Sequence, residues 1–387
     1  MCGDFFLFAY FQDVNEHQVG IVGGGLAGLT AAIALSRYGY DIAVFESNPY
    51  PHHKVCGEYL SNEILPYLNS LGVDLLAAGG RPLSRFEISS NQGKTAKCQL
   101  PLGGIGISRY ALDHLLYQTA KERKVTFYFE KVVGIRFNGN MFMVQSRKQT
   151  VSAPIVIGAY GKRSGLDKTL KRSFIQKKTD WLAIKAHYAY PDFPDDLVAL
   201  HSFKGGYGGL SKTESGHVNF CYLAQYKVFK KYKDVSDFNE KVVSQNPQLR
   251  QFLMKATPVF EQPLSIGQIS FEPKELVVDH VLMCGDTAGL IHPLCGNGMA
   301  MAIHAGKLVS ECVHGYLNSK NRERGNMEEA YRRSWNTHFK SRLSYGRFFQ
   351  KLLLKDGFLN WGIASLGRSE KLLQKLITKT HGKTVSP

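Results

Sequence analysis

Apolar positions change their period several times along this chain of 387 residues, and each change predicts a different element. Residues 19–22 are a short apolar run that ends in three glycines, the pattern of a buried parallel strand. Residues 26–38, rich in Ala and Leu and closed by Gly39, predict a helix. A second strand at 41–45 ends at Glu46, so the three make one βαβ unit of about 30 residues. Leu112, Leu115 and Leu116 give 108–121 helical spacing, while 125–129, 141–145 and 155–157 read as strands. Alternation then takes over from 181 to 223, with 205–209 as a glycine turn between two strand-like runs. That predicts a separate antiparallel sheet. The buried-strand pattern returns at 281–284 and leads through a loop to a helix of small residues at 298–313. The expected class is α/β (α+β). A discontinuous Rossmann-type domain takes residues 17–80, 105–168 and 272–325, and an antiparallel-sheet substrate domain takes 81–104 and 169–271.

Beyond Asn326, Met327, Tyr331, Trp335, Phe339 and Leu343 recur every four residues, one apolar stripe on a basic helix. After Ser369, a last helix sets Leu372, Leu373, Leu376 and Ile377 against Lys371, Lys375 and Lys379. Residues 326–387 therefore read as a basic C-terminal helical region. The formal net charge of +16 makes nucleic acid or anionic lipid the first partners to test. Helix-turn-helix, zinc-finger and RNP patterns are absent, so nucleic acid is not expected. Peripheral contact with an anionic membrane surface is the open expectation, and a solvated basic surface its plain alternative. No run approaches the roughly 20 apolar residues that span a bilayer, and the apolar start at residues 5–11 lacks a basic leader. Seven scattered cysteines without a CxxC pair point to a reducing, cytoplasmic compartment and to no metal site.

Three glycine motifs carry the chemistry. Gly23-Gly24-Gly25-Leu26-Ala27-Gly28 is a GxGxxG between strand and helix. Gly23 permits the tight turn, Gly25 lets the backbone approach a pyrophosphate, Gly28 packs helix on strand, and Leu26 and Ala27 complete the motif. Glu46, at the end of the next strand, is placed to accept hydrogen bonds from an adenosine ribose. A glycine turn with no ligand is the bland alternative. The second motif is Gly158-Ala159-Tyr160-Gly161-Lys162-Arg163-Ser164. The third is Cys284-Gly285-Asp286-Thr287-Ala288-Gly289, followed by His292-Pro293-Leu294-Cys295-Gly296-Asn297-Gly298.

In order and spacing these motifs resemble the para-hydroxybenzoate hydroxylase superfamily, most of all its geranylgeranyl reductase branch, over about residues 17–315. The resemblance implies FAD as cofactor, with Asp286 on the ribityl hydroxyls. It lays Pro293, Gly296, Asn297 and Gly298 along the flavin ring, and gives Gly161 the glycine position of the middle motif. A helix starting near Gly298 would point its positive end at the flavin pyrimidine, where negative charge gathers on reduction. Ser108-Arg109 with Asp113 resembles the family's arginine-bearing helix start, which puts Arg109 beside the flavin or the pyrophosphate. Lys54-Val55-Cys56-Gly57-Glu58 resembles its Cys-Gly segment, which adds Lys54 to the cofactor contacts and turns Cys56 to the substrate side.

Two departures bear on the reaction. Tyr160 stands where the middle motif has aspartate, and no second GxGxxG exists, so NAD(P)H is expected only as a transient electron donor. The family's Tyr-x-Trp-x-Phe-Pro signature survives only as Gly206-Tyr207-Gly208-Gly209-Leu210, which leaves Tyr207 with Cys56 as the catalytic candidates. Cys56 also fits a small buried hydrophobe. His292 and His304 invite catalytic roles but read as structural. The expected activity is an FAD-dependent NAD(P)H oxidoreductase reducing a lipophilic, isoprenoid-type small molecule. Its rivals are a monooxygenase hydroxylating an aromatic or polyketide-like ring, and a non-catalytic flavin-binding protein. Halogenation is set aside because Trp181, Trp335 and Trp361 stand alone, outside any Trp-x-Trp-x-Ile-Pro signature.

Overall fold

The computed structural model describes residues 14–177, 179–290, 296–353, 360, 362, 363, 365, 367 and 369–387. Its centre is a six-stranded sheet in the order Val277–Val278, Val281–Met283, Ile155–Gly158, Val19–Val22, Ile42–Phe45, Thr126–Tyr128. All neighbours are parallel except the first pair. The helix Leu26–Ser36 is buried from Leu26 to Leu35, as a helix apolar all round must be. It lies against the helix Gly298–Leu317, and the approach is close: a Cβ on Gly306 would come within 2.8 Å of the Ala27 carbonyl oxygen. The stripe Met327, Tyr331, Trp335 and Phe339 of the helix Arg324–Leu353 is buried on this domain, and Tyr331 Oη donates to the Met283 carbonyl at 2.5 Å.

The strand expected at 141–145 belongs elsewhere. Phe142–Ser146 sits in a four-stranded sheet with Asn15–Glu16, Thr150–Ala153 and Val132–Phe137. Its alternating burial, unlike the fully buried central strands, is that of a sheet with one solvated face.

The third sheet has nine strands. The path runs Thr257–Pro258, Trp181–Ala189, Val218–Gln225, Gly206–Lys212, Leu197–Phe203, Arg81–Ser89, Thr95–Gly106, Tyr59–Ser61, with Leu264–Ile266 paired beside Trp181–Ala189. On its outer face Ile184, Tyr188, Phe220 and Tyr222 pack against Phe238, Leu249 and Phe252 of flanking helices. The glycine turn expected at 205–209 is shorter than that. Gly206, Gly208 and Gly209 lie inside a strand, where a Cβ at 206 or 208 would strike the ring of Phe203 or Phe220 at 2.5 or 2.6 Å. Gly206 and Gly208 make room for aromatic neighbours.

The last helix, Glu370–Thr380, lies on this sheet, where Leu373 and Ile377 pack with Phe86, Ile88, Ala96 and Cys98. Leu372 remains 46% exposed beside the lysines. Among the described residues no helix is long and apolar enough to cross a membrane.

Candidate functional site

The glycine loop has its expected division of labour. A Cβ on Gly23, whose φ is +111°, would meet the Ala159 carbonyl oxygen at 2.2 Å, and one on Gly28 would meet the Gly23 oxygen at 2.0 Å. At Gly25, among the described residues, the only atom within 4 Å is Arg109 Nη2, at 3.6 Å. Gly23 and Gly28 are thus closed by the fold, while Gly25 faces open space, as a backbone that must approach a phosphate does. Leu26 and Ala27 start the buried helix.

Charge is strung along the edge of this loop. Gly24 N–H donates to Glu46 Oε2 at 3.2 Å, and Lys54 Nζ lies 3.3 Å from the same oxygen and 3.1 Å from Asp113 Oδ2. Asp113 in turn takes two hydrogen bonds from Arg109, Nε at 2.6 Å and Nη2 at 2.7 Å, the paired geometry that fixes a guanidinium plane. Burial works against both carboxylates, but Lys54 at Glu46, and Arg109 with Lys54 at Asp113, outweigh it and hold each pKa below its ordinary value. Lys54 and Arg109 are thereby held side by side at the edge of the loop, both on Asp113.

The other two motifs meet opposite this loop. Gly161 N–H donates to Thr287 Oγ1 at 2.8 Å, which ties the middle motif to the third. Lys274 Nζ donates to the carbonyls of Asp286 at 2.8 Å and Lys162 at 2.9 Å, and burial pushes its pKa down to about 8. Gly285 has φ +61°, and a Cβ there would lie 2.7 Å from that of Ala27, so the turn before Asp286 rests directly on the glycine-loop helix. The Asp286 carboxylate is near enough to stabilise the charge of Arg109. Tyr160 turns away, its hydroxyl beside Met283 Sδ at 3.6 Å, and burial raises its pKa.

The inner face of the nine-stranded sheet roofs this region. Cross-strand register sets Lys185 beside Cys221, Cys221 beside Gly209, and Gly209 beside Leu200. The next row is His187, Asn219, Ser211, Val198 and Phe86. Across the sheet the face therefore grades from charged to apolar. At the charged end Glu58, wholly buried at φ +55°, accepts from Lys185 Nζ at 2.5 Å, His187 Nε2 at 2.6 Å and the Arg109 N–H at 2.7 Å. Burial opposes the Glu58 charge, and His187 and Lys185 overcome it, so its pKa is lowered. His53 joins Glu58 and His187 in a group whose ligand atoms lie within 4.8 Å of one another. Lys185 already supplies the cation that this carboxylate requires.

Cys56 is held by its neighbours' backbone. Lys185 Nζ donates to Lys54 O at 3.1 Å, Lys162 Nζ to Val55 O at 3.2 Å and Asn219 Nδ2 to Cys56 O at 3.2 Å. Three successive carbonyls are so pinned, and the half-buried thiol is presented from a rigid loop next to Cys221, whose own thiol burial pushes up to about 12. Tyr207 is buried in the strand Gly206–Lys212 and clusters with Ala183, Leu223, Ile269 and Leu290, against which Val55 packs. The structure brings Tyr207 and the Cys56 loop to one apolar layer.

A cleft of about 620 Å³, open solvent included, lies alongside. Gly57, Tyr59 and Gly296 form one wall, Val198, Leu200 and Leu210 another, and Ile377 and His381 of the last helix and its end a third. Asn297, expected along the flavin ring, donates from Nδ2 to Glu63 Oε2 at 3.0 Å and stands at the N-terminal boundary of the helix that begins at Gly298, without a side-chain cap. Pro293 and His292 lie outside the described residues. His304 is buried beside His338 and Phe339, and burial pushes its pKa down to about 3, as a structural histidine requires.

Sequence reading missed Glu58, Lys185, His187, Tyr59 and His381. Glu58 was in view as the last residue of Lys54-Val55-Cys56-Gly57-Glu58, but its partners lie more than a hundred residues away on the sheet. A polar pair at alternate, otherwise apolar positions, Lys185 and His187, was the available signal.

A GxGxxG on a six-stranded, mostly parallel core, two further glycine motifs converging on it, and a roofing antiparallel sheet define an FAD-dependent oxidoreductase. A family model described as "FAD binding domain" matches residues 16–311, and the chain belongs to that family. Kynurenine 3-monooxygenase of Salinispora arenicola is 22% identical over 347 residues, covering 77% of this chain and 73% of its own. Menaquinone reductase of Mycobacterium tuberculosis is 24% identical over 323 residues, covering 77% of each. In fold, a geranylgeranyl bacteriochlorophyll reductase-like protein from Thermoplasma acidophilum is similar with a TM-score of 0.77, at 18% identity, over 95% of this chain and 96% of that one.

Proposed function

We propose that the protein reduces a lipophilic, isoprenoid-type small molecule, with NAD(P)H as a transient electron donor. The observation that carries this reading is the cleft beside Gly57 and Gly296, whose far wall is the apolar end of the sheet's inner face. When bound, FAD would take up electrons from the donor and give a hydride to one carbon of the substrate double bond. The chain supplies the rest. Gly23, Gly25 and Gly28 admit the dinucleotide, Glu46 and Lys54 face its adenosine half, and Arg109 and Asp286 its phosphates and ribityl chain. Leu200, Val198 and Tyr207 keep water away from the reacting carbons. Cys56, pinned by three carbonyl contacts, gives the proton to the second carbon.

Menaquinone reductase among the relatives supports reduction; kynurenine 3-monooxygenase, together with the charged end of the sheet's face, favours hydroxylation of an aromatic ring as the second reading. The deciding experiment mixes chemically reduced, FAD-loaded protein with a prenyl lipid in the absence of oxygen. Return of oxidised-flavin absorbance, with a product heavier by two hydrogens, supports the reductase. Flavin that stays reduced until oxygen enters overturns it. Cys56→Ala should slow the anaerobic step by about 10² to 10⁴-fold while FAD stays bound. Supply of such a substrate from an anionic membrane through the basic C-terminal helices is part of this reading, and flotation with anionic vesicles at low salt tests it.

A further inference from the structure

Tyr59, Ser211 and His381 are polar side chains of the cleft that the reading above leaves unused, and two of them, Tyr59 and His381, meet each other. The Tyr59 ring fills a slot between two glycines: a Cβ on Gly104 would stand 2.3 Å from it and one on Gly296 3.2 Å. Its hydroxyl lies 3.3 Å from the Gly103 carbonyl oxygen and 3.3 Å from His381 Nε2. His381 follows the last helix, with Nδ1 3.0 Å from the Ile377 carbonyl oxygen. A carbonyl only accepts, so Nδ1 carries the proton, and Nε2 of the neutral ring, like the Gly103 carbonyl, can only accept the one Tyr59 proton. Burial lowers the pKa of His381, which keeps the ring neutral. The single Tyr59 proton is therefore engaged within the protein, and its oxygen retains lone pairs that can only accept.

His381 is not a loose end of the chain. The Gly382 N–H donates to the buried Glu63 carboxylate, and the Val385 N–H to the Glu63 carbonyl at 2.7 Å. The same carboxylate takes Arg342 Nη1 at 3.0 Å and Asn297 Nδ2 at 3.0 Å. One acid thus fixes the chain beyond the last helix and the helix start next to the flavin motif in a common frame.

We propose that Tyr59 and His381 are the specificity-determining pair of this cleft, and that they select an apolar substrate bearing a hydroxyl group, read as a donor by Tyr59 Oη. The proposal rests on the cleft being the substrate site. A hydroxyl is distinguished from an ether or a bare hydrocarbon, since neither of those can donate a hydrogen bond.

The test titrates FAD-loaded protein with naphthol, its methyl ether and naphthalene, read by calorimetry. Wild type should bind naphthol about five- to tenfold tighter than the ether, the value of one hydrogen bond. Tyr59→Phe, which keeps the ring in its slot, should abolish that preference and leave naphthalene affinity within about twofold, since no hydrogen bond is involved there. His381→Leu should narrow it. A wild type that binds naphthol and ether alike, or a Tyr59→Phe variant that keeps the preference, overturns the pair's role while the apolar cleft stands. If none of the three binds wild type, the apolar cleft falls and the pair with it.

Discussion

Around the glycine loop, Glu46, Lys54, Asp113 and Arg109 form a chain of ion pairs whose cations keep some exposure, 25% for Lys54 and 14% for Arg109. Around Glu58, on the roofing sheet, the partners Lys185 and His187 are sealed, at 0% and 4%. The first set can be approached by a phosphate without dismantling anything. The second is committed inward, and its work is to hold the Cys56 loop against the sheet. The two regions share one backbone link, the Arg109 N–H on Glu58. The contrast teaches that charge beside the glycine loop is left accessible, while charge on the roofing sheet is sealed and serves rigidity.

Glu58→Gln should break that comparison most severely. It leaves the Lys185 ammonium buried without its counter-charge, a loss of about 3 to 5 kcal/mol, read as a fall in the denaturant midpoint. The sign with pH follows from the lowered Glu58 pKa. Its stabilisation is complete above the ordinary carboxylate value of 4.5 and is lost as pH falls through the folded value. Wild type should therefore lose more melting temperature on acidification from neutrality to pH about 4 than Glu58→Gln does. Equal acid sensitivity would remove Glu58 from the account of stability.

Gly28→Ala ranks next. Its Cβ would sit 2.0 Å from the Gly23 oxygen, and an overpacked backbone contact costs about 3 kcal/mol, with FAD retention lost as well. Gly57→Ala, with no atom of the described residues within 4 Å of the added carbon, should leave the midpoint within about 0.5 kcal/mol. Reversal of that order would show that the loop is not closed where the structure closes it.

Asp286→Ala should weaken FAD binding by about 1.5 to 3 kcal/mol, the worth of hydrogen bonds to a charged acceptor, with little change in melting of the FAD-free protein. Undiminished FAD affinity would return Asp286 to a structural role. The smallest effect belongs to the last helix: Leu372→Ser, at an exposed position, should change stability by under about 0.5 kcal/mol, whereas Leu373→Ala should cost about 2 kcal/mol or more. Similar losses at both would mean that the helix does not lie on the strand Thr95–Gly106 as described.

The comparison also explains what the sequence disclosed. The cofactor end is written in contiguous motifs, because a tight turn, a close approach and a helix start must follow one another along the chain. Gly23 through Gly28, Glu46 and Gly285-Asp286 therefore stand out as motifs in the sequence, and the stripe from Met327 to Phe339 was legible as a buried helix face. The substrate end is written across strands. Lys185, Cys221, Gly209 and Leu200 are neighbours only through sheet register, which no local pattern specifies. Asn297 shows the same limit within a motif: its spacing matched the flavin loop, but its side chain is drawn to Glu63, a partner brought in by the strand Tyr59–Ser61 and its following turn. The glycines at 206–209 read as a turn because glycine marks turns by default. Only the facing rings of Phe203 and Phe220 reveal them as strand positions.

The central claim is that hydride leaves the flavin for an apolar substrate held under the sheet, with no oxygen atom transferred. The most direct measurement is the mass of the product formed from a prenyl lipid with NAD(P)H under isotopically heavy oxygen gas. The account predicts a product that gains two hydrogens and carries no heavy oxygen. A product carrying one heavy oxygen atom would contradict it.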